Sequence, residues 1–149
     1  MADSYSLRVG NAHSVFSAMG AECRQWRIGA RDLLWPGDAH IWPAIAPVLF
    51  PTCGWSREGH IRIGETFYPM PVHGFAAQST FDGAQLSDNI VRFTLGTNAR
   101  TRMHYPFDFQ LAVTYRLESS ALAVSCAITN HGDQPMPYAV GLHPGFALD

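Results

Sequence analysis

At 149 residues with 47% hydrophobic residues, the chain is long enough for one domain with a substantial core and too short for two. A formal charge of -2 gives no electrostatic ground for nucleic acid or an anionic membrane as a partner. All the basic residues are arginine, and the lack of lysine excludes a Walker-type phosphate loop and Schiff-base chemistry.

The N-terminal residues read as β structure. Ser6 to Val9 and Ser14 to Phe16 are short β-prone pieces around Gly10-Asn11, both tolerant of positive φ and so suited to a hairpin turn. Ala21 to Ile28 and Asp32 to Trp35 flank Gly29 as a second hairpin, and Pro36-Gly37-Asp38 ends it. From Ala39 to Trp55 the chain carries prolines at 43, 47 and 51 and no charged residue. This predicts an irregular apolar segment packed on a sheet edge, and no helix.

His60 to Ile63 and Thr66 to Tyr68 bracket Gly64-Glu65 as a third hairpin. Gln78 to Leu86 and Asn89 to Leu95 alternate only loosely. The clearest strands follow: Phe109, Leu111, Val113 and Tyr115 share one face, and Leu122, Val124, Cys126 and Ile128 do the same in the next segment. That period of two marks half-buried strands, and Glu118-Ser119-Ser120 supplies a turn that pairs them antiparallel. Met136 to Leu142 then reads as a last strand. With no sustained helical period and with Gly and Pro spaced as punctuation, the pattern predicts an all-β antiparallel β-sandwich.

Two histidines occupy similar frames. His73 stands between a proline-punctuated approach, Tyr68-Pro69-Met70-Pro71, and a Gly74-Phe75 exit; His143 lies in Gly141-Leu142-His143-Pro144-Gly145-Phe146. Each frame holds a polar side chain at the lip of a core, and together they predict a cleft reached from two segments. The three cysteines, Cys23, Cys53 and Cys126, are an odd number without CxxC spacing, so no disulfide framework or zinc clamp is signalled and a cytoplasmic location fits. His73, His143 and a cysteine match no zinc signature. Cys53 lacks a paired-base motif and reads as a small packing residue. Met1 to Ser6 carries no signal-peptide pattern, and Ile41 to Phe50 is broken by proline and too short to span a bilayer.

Gly37-Asp38, Trp42-Pro43, Pro47-Val48-Leu49-Phe50-Pro51, Tyr68-Pro69-Met70, His73-Gly74-Phe75-Ala76, Thr129-Asn130-His131-Gly132-Asp133 and Gly141 to Phe146 follow the order and spacing of one family. The sequence resembles the aldose 1-epimerase, or galactose mutarotase-like, family, and within it the LacX-like branch. The resemblance implies part of a β-supersandwich, a monosaccharide substrate, interconversion of its α and β anomers, and no metal or organic cofactor. It implies that His143 is the general acid on the ring oxygen and that His73 contacts the sugar. Where the family commonly has an arginine, this sequence has Trp55, so that sugar contact is either missing or passed to Arg57. The family's general-base glutamate lies beyond the equivalent of Asp149, so the chain is expected to be a single domain, residues 1–149, cut short at its C-terminus.

Histidine suits the acid because its ordinary pKa of about 6.5 lets it give and recover a proton near neutrality. Aromatic side chains at a cleft rim can pack on the apolar face of a pyranose, and Trp55, Phe75 and Phe146 are the candidates. Trp26, Trp35 and Trp42 read as packing residues. A rival reading is a carbohydrate-binding β-sandwich without turnover. A blander one is a fragment whose unpaired sheet edges invite self-association.

Overall fold

The computed structural model describes residues 3–148. Two four-stranded antiparallel sheets face each other, as the alternating pattern requires. The first runs β1 (Ser4–Val9), β2 (Ala12–Ser17), β3 (Cys23–Ile28) and β4 (Arg31–Asp32) in simple meander order. Downstream lie β5 (Val48–Leu49) and the hairpin of β6 (His60–Ile63) with β7 (Thr66–Pro69). The second large sheet is another meander, built from β8 (Asp82–Ser87), β9 (Ile90–Gly96), β10 (Phe109–Leu117) and β11 (Leu122–Asn130). A last strand, β12 (Gly141–Leu142), returns to pair with β5.

Inward-facing side chains of the two sheets make the core. Leu7 and Phe16 of the first meet Val91, Phe93, Leu111, Val113 and Tyr115 of the second, all buried. Phe16 packs at 4.6 Å from Tyr115, and Tyr5 meets Phe93 edge-on at 5.3 Å, the offset geometries that aromatic quadrupoles favour. Two phenol tips in this layer are satisfied across it: the Tyr115 hydroxyl donates to the Ala21 carbonyl at 2.9 Å and the Tyr5 hydroxyl to the Gly83 carbonyl at 3.0 Å. A second aromatic cluster of Phe50, Phe75, Tyr105 and Phe109 underlies the β5 region.

All three expected hairpins form at the expected turns, and β10 pairs β11 from Phe109↔Asn130 to Leu117↔Leu122. Four details differ from the sequence reading. The strand expected over Asp32 to Trp35 ends at Asp32, and Leu34 forms a bridge to Phe146. The irregular segment contains β5, whose partner is remote in sequence. The last strand is only Gly141–Leu142, because Pro135 and Pro137 have no N–H to give a ladder. A short helix α1 (Ala99–Arg102) appears where none was expected; Asn98 accepts from the Thr101 N–H at 3.0 Å, and the Thr101 hydroxyl accepts from the Asn98 N–H at 2.9 Å. That reciprocal capping box stabilises a turn too short to show a period.

Candidate active site

The approach to His73 is a tight turn. Gly74 N–H donates to the Pro71 carbonyl at 2.9 Å, and His73, third in that turn, has φ +66°. Such a turn wants glycine or asparagine at its third position, so a histidine there carries backbone strain, a condition often associated with functional sites. Gly74 follows at φ +76°, and a Cβ built on it would fall 2.1 Å from the Phe50 carbonyl oxygen. Only glycine lets the two backbones approach this closely. The same Phe50 oxygen accepts from Phe75 N–H at 2.9 Å and Ala76 N–H at 3.2 Å, tying the turn to the end of β5.

His73 is also clamped to Gly54. Its N–H donates to the Gly54 carbonyl at 2.9 Å, and its Nδ1 accepts from the Gly54 N–H at 2.9 Å. His143 arrives from the other direction, directly after β12, with its N–H on the Pro47 carbonyl at 3.1 Å. The segments beside β5 therefore hold both histidines: residues 50–54 bind the first and Pro47 the second. The imidazoles lie 5.5 Å apart, centre to centre, at 57°.

Trp42 completes the group, its ring 5.1 Å from that of His143. Its carbonyl accepts the Trp35 indole N–H at 2.9 Å. The supporting segment is pinned from β3's side by Glu22, whose Oε1 accepts from Ile45 N–H at 2.8 Å and Ala46 N–H at 2.9 Å. Trp42, expected from its sequence to be a packing residue, thus meets a histidine remote in sequence, a contact that the local Trp42-Pro43 motif does not encode.

The remaining candidates are placed elsewhere. Phe75 is 4% exposed and stacks in the cluster with Phe50, Tyr105 and Phe109, so its ring supports the turn from beneath and is no rim residue. Phe146 is 58% exposed, but Leu142, Pro144 and Phe146 line an apolar groove with Trp26, Leu122 and Val124, while His143 faces Trp42. Alternation along an extended segment puts Phe146 on the opposite side from His143. Trp55 is 87% exposed and lines an open hollow with Cys53, Ile61 and Tyr138. Arg57 is exposed and lines a groove with Glu58, His60, Arg62 and Phe67. Neither Trp55 nor Arg57 stacks on or hydrogen-bonds with either histidine.

Among the described residues, no three His, Cys, Asp or Glu side chains group as metal ligands, and no carboxylate hydrogen-bonds with either site histidine. The pair brings two imidazoles to one small volume, backed by an indole.

The sequence model of aldose 1-epimerase matches residues 3–149. The chain belongs to the aldose 1-epimerase family. Curated relatives include the plasmid and chromosomal forms of protein LacX from Lactococcus lactis subsp. lactis, each 31% identical over 121 residues, which cover 77% of this chain and 40% of the relative. Two solved structures are similar along nearly the whole of this chain. A galactose mutarotase related enzyme from Lactobacillus acidophilus has a TM-score of 0.95 at 30% identity, covering 98% of this chain and 49% of that one. A galactose mutarotase-like protein from Lactobacillus casei ATCC 334 also has a TM-score of 0.95, at 36% identity, covering 99% and 51%. This aldose 1-epimerase family chain thus spans about half the length of those structures and less of the curated relatives.

Proposed function

We propose that the chain carries the acid half of an aldose 1-epimerase site acting on a free monosaccharide. The observation that carries this reading is the convergence of His73 and His143, 5.5 Å apart, from two separate segments fixed to the same backbone. Opening a cyclic hemiacetal needs a proton on the ring oxygen while one leaves the anomeric hydroxyl; rotation and reclosure then invert the anomer. His143 is assigned the proton donation to the ring oxygen and His73 a hydrogen bond to the sugar. No metal or organic cofactor enters this chemistry. Trp55 and Arg57 are retained as outer sugar contacts. A carboxylate has to take the hydroxyl proton, and on the family resemblance it belongs to a part of the fold that this chain does not span. The unpaired cysteines Cys23, Cys53 and Cys126 support a reducing, cytoplasmic setting.

The absence of a carboxylate hydrogen-bonded to either histidine among the described residues favours a second reading for the isolated chain: sugar binding without turnover. Mutarotation of fresh α-galactose and α-glucose, followed by NMR in dilute buffer, separates the two. Each positioned proton-transfer group is typically worth about 10²-fold to 10⁴-fold. Acceleration abolished by His143→Ala supports the epimerase. Sugar-induced shifts at His73 and His143 without acceleration support binding alone. Neither acceleration nor shifts defeats both.

A further inference from the structure

The hydrogen bond between Gly54 and His73 fixes more than the position of a ring. A neutral imidazole carries one N–H, and the nitrogen that accepts a hydrogen bond must be the one without it. Gly54 N–H is an unambiguous donor, 2.9 Å from Nδ1. A neutral His73 ring that accepts this bond carries its proton on Nε2. The opposite tautomer would set two N–H groups against each other in a half-buried place, leaving both unsatisfied. Nor can Gly54 easily turn away: its carbonyl is held by the His73 N–H at 2.9 Å, and its φ is +95°. Together the two hydrogen bonds form a closed clamp between the residues.

His143 is held differently. Its backbone is fixed to Pro47 and its ring rests against Trp42 at 5.1 Å, yet among the described residues no hydrogen bond reaches either ring nitrogen. It is also exposed. One histidine therefore has its ring held by the backbone through a hydrogen bond, and its neighbour is held by its backbone and by the Trp42 ring.

We propose that Gly54 is a positioning residue that holds His73 as the Nε2–H tautomer, making His73 a fixed hydrogen-bond donor to a sugar oxygen. The donor role rests on the sugar-isomerase reading above; the tautomer does not. No bond to carbon is made or broken by His73, and it ends the cycle with the proton it began with.

The test uses the intact chain with ¹⁵N-labelled histidine rings and long-range proton–nitrogen NMR at alkaline pH, first without sugar and then with α-galactose. His73→Gln assigns the His73 signals by their loss. It also places a carboxamide N–H close to where Nε2–H stood. The expected result is a single Nε2–H tautomer for His73, an Nε2–H resonance that moves on adding galactose, and galactose affinity in His73→Gln within about threefold of the parent. His73→Ala should lose at least about tenfold. A His73 ring protonated on Nδ1, or averaging between tautomers, overturns the lock whatever the sugar does. A locked Nε2–H ring that ignores sugar while His143 responds overturns the donor role alone. A locked ring with no response at either histidine overturns the functional reading as well.

Discussion

Gly74→Ala tests whether the close approach beneath His73 is as tight as the geometry requires. The added Cβ would lie 2.1 Å from the Phe50 oxygen, 2.4 Å from its carbonyl carbon and 2.7 Å from the Pro51 nitrogen. All three are backbone atoms, so no side chain can swing aside. Alanine also meets φ +76°, and the left-handed region costs an L-residue about 1–2 kcal/mol. Relieving the clash separates the turn from Phe50 and breaks the bonds from Phe75 and Ala76, each worth about 1 kcal/mol. The expected loss is about 3–4 kcal/mol.

Gly64→Ala is the control, because Gly64 has φ +60° but nothing within 4 Å of its Cβ position. It should show the strain alone, about 1–2 kcal/mol. Urea unfolding followed by tryptophan fluorescence reads the difference directly; domains below 150 residues usually unfold in one step. With a slope of about 1–3 kcal/mol per molar, Gly74→Ala should unfold at a midpoint clearly below that of Gly64→Ala. Equal midpoints would refute the reasoning: the contact at Phe50 would then be loose, and His73 would be held by Gly54 alone.

Glu22→Ala should cost about 2–4 kcal/mol in the same assay, since it strands the Ile45 and Ala46 amides; Glu22→Gln, which keeps an accepting oxygen, should recover most of it. Both the NMR spectrum of His143 and the contact with Trp42 should shift in Glu22→Ala. Burial pushes the Cys23 thiol from 9.0 up to about 12, and burial also raises Tyr105 and Tyr115. The folded chain then keeps protons that the unfolded chain releases, so stability is full below about pH 9 and falls as pH climbs toward 12. Cys23→Ala should flatten the start of that decline, and an unchanged urea midpoint between pH 9 and 11 in the parent would contradict it. On β11, Leu122, Val124, Cys126 and Ile128 are only half buried, and its outer edge pairs with no strand among the described residues. Self-association through this edge predicts concentration-dependent sedimentation, reduced by Ala127→Lys; a monomer at all concentrations in the parent would rule it out.

Periodicity and punctuation by themselves determined three hairpins and the pairing of β10 with β11. Gly10-Asn11, Gly29 and Gly64-Glu65 mark hairpins because turn conformation is a local property, and the alternation in β10 and β11 is written in consecutive residues. His73 and His143 were legible because each stands in a short motif. What the sequence could not specify is what depends on distance along the chain. Nothing local says that Val48–Leu49 pairs with Gly141–Leu142, yet that pairing brings the histidines together. Phe75 and Phe146 looked like rim aromatics because exposure is decided by which neighbours cover a ring: one is roofed by Phe50, Tyr105 and Phe109, and the other is turned from His143 by strand alternation. Trp42 joined the site, and Gly54 set the tautomer of His73, only through tertiary contacts. Backbone pattern is local and can be read; the company a side chain keeps is set by the packing of remote segments.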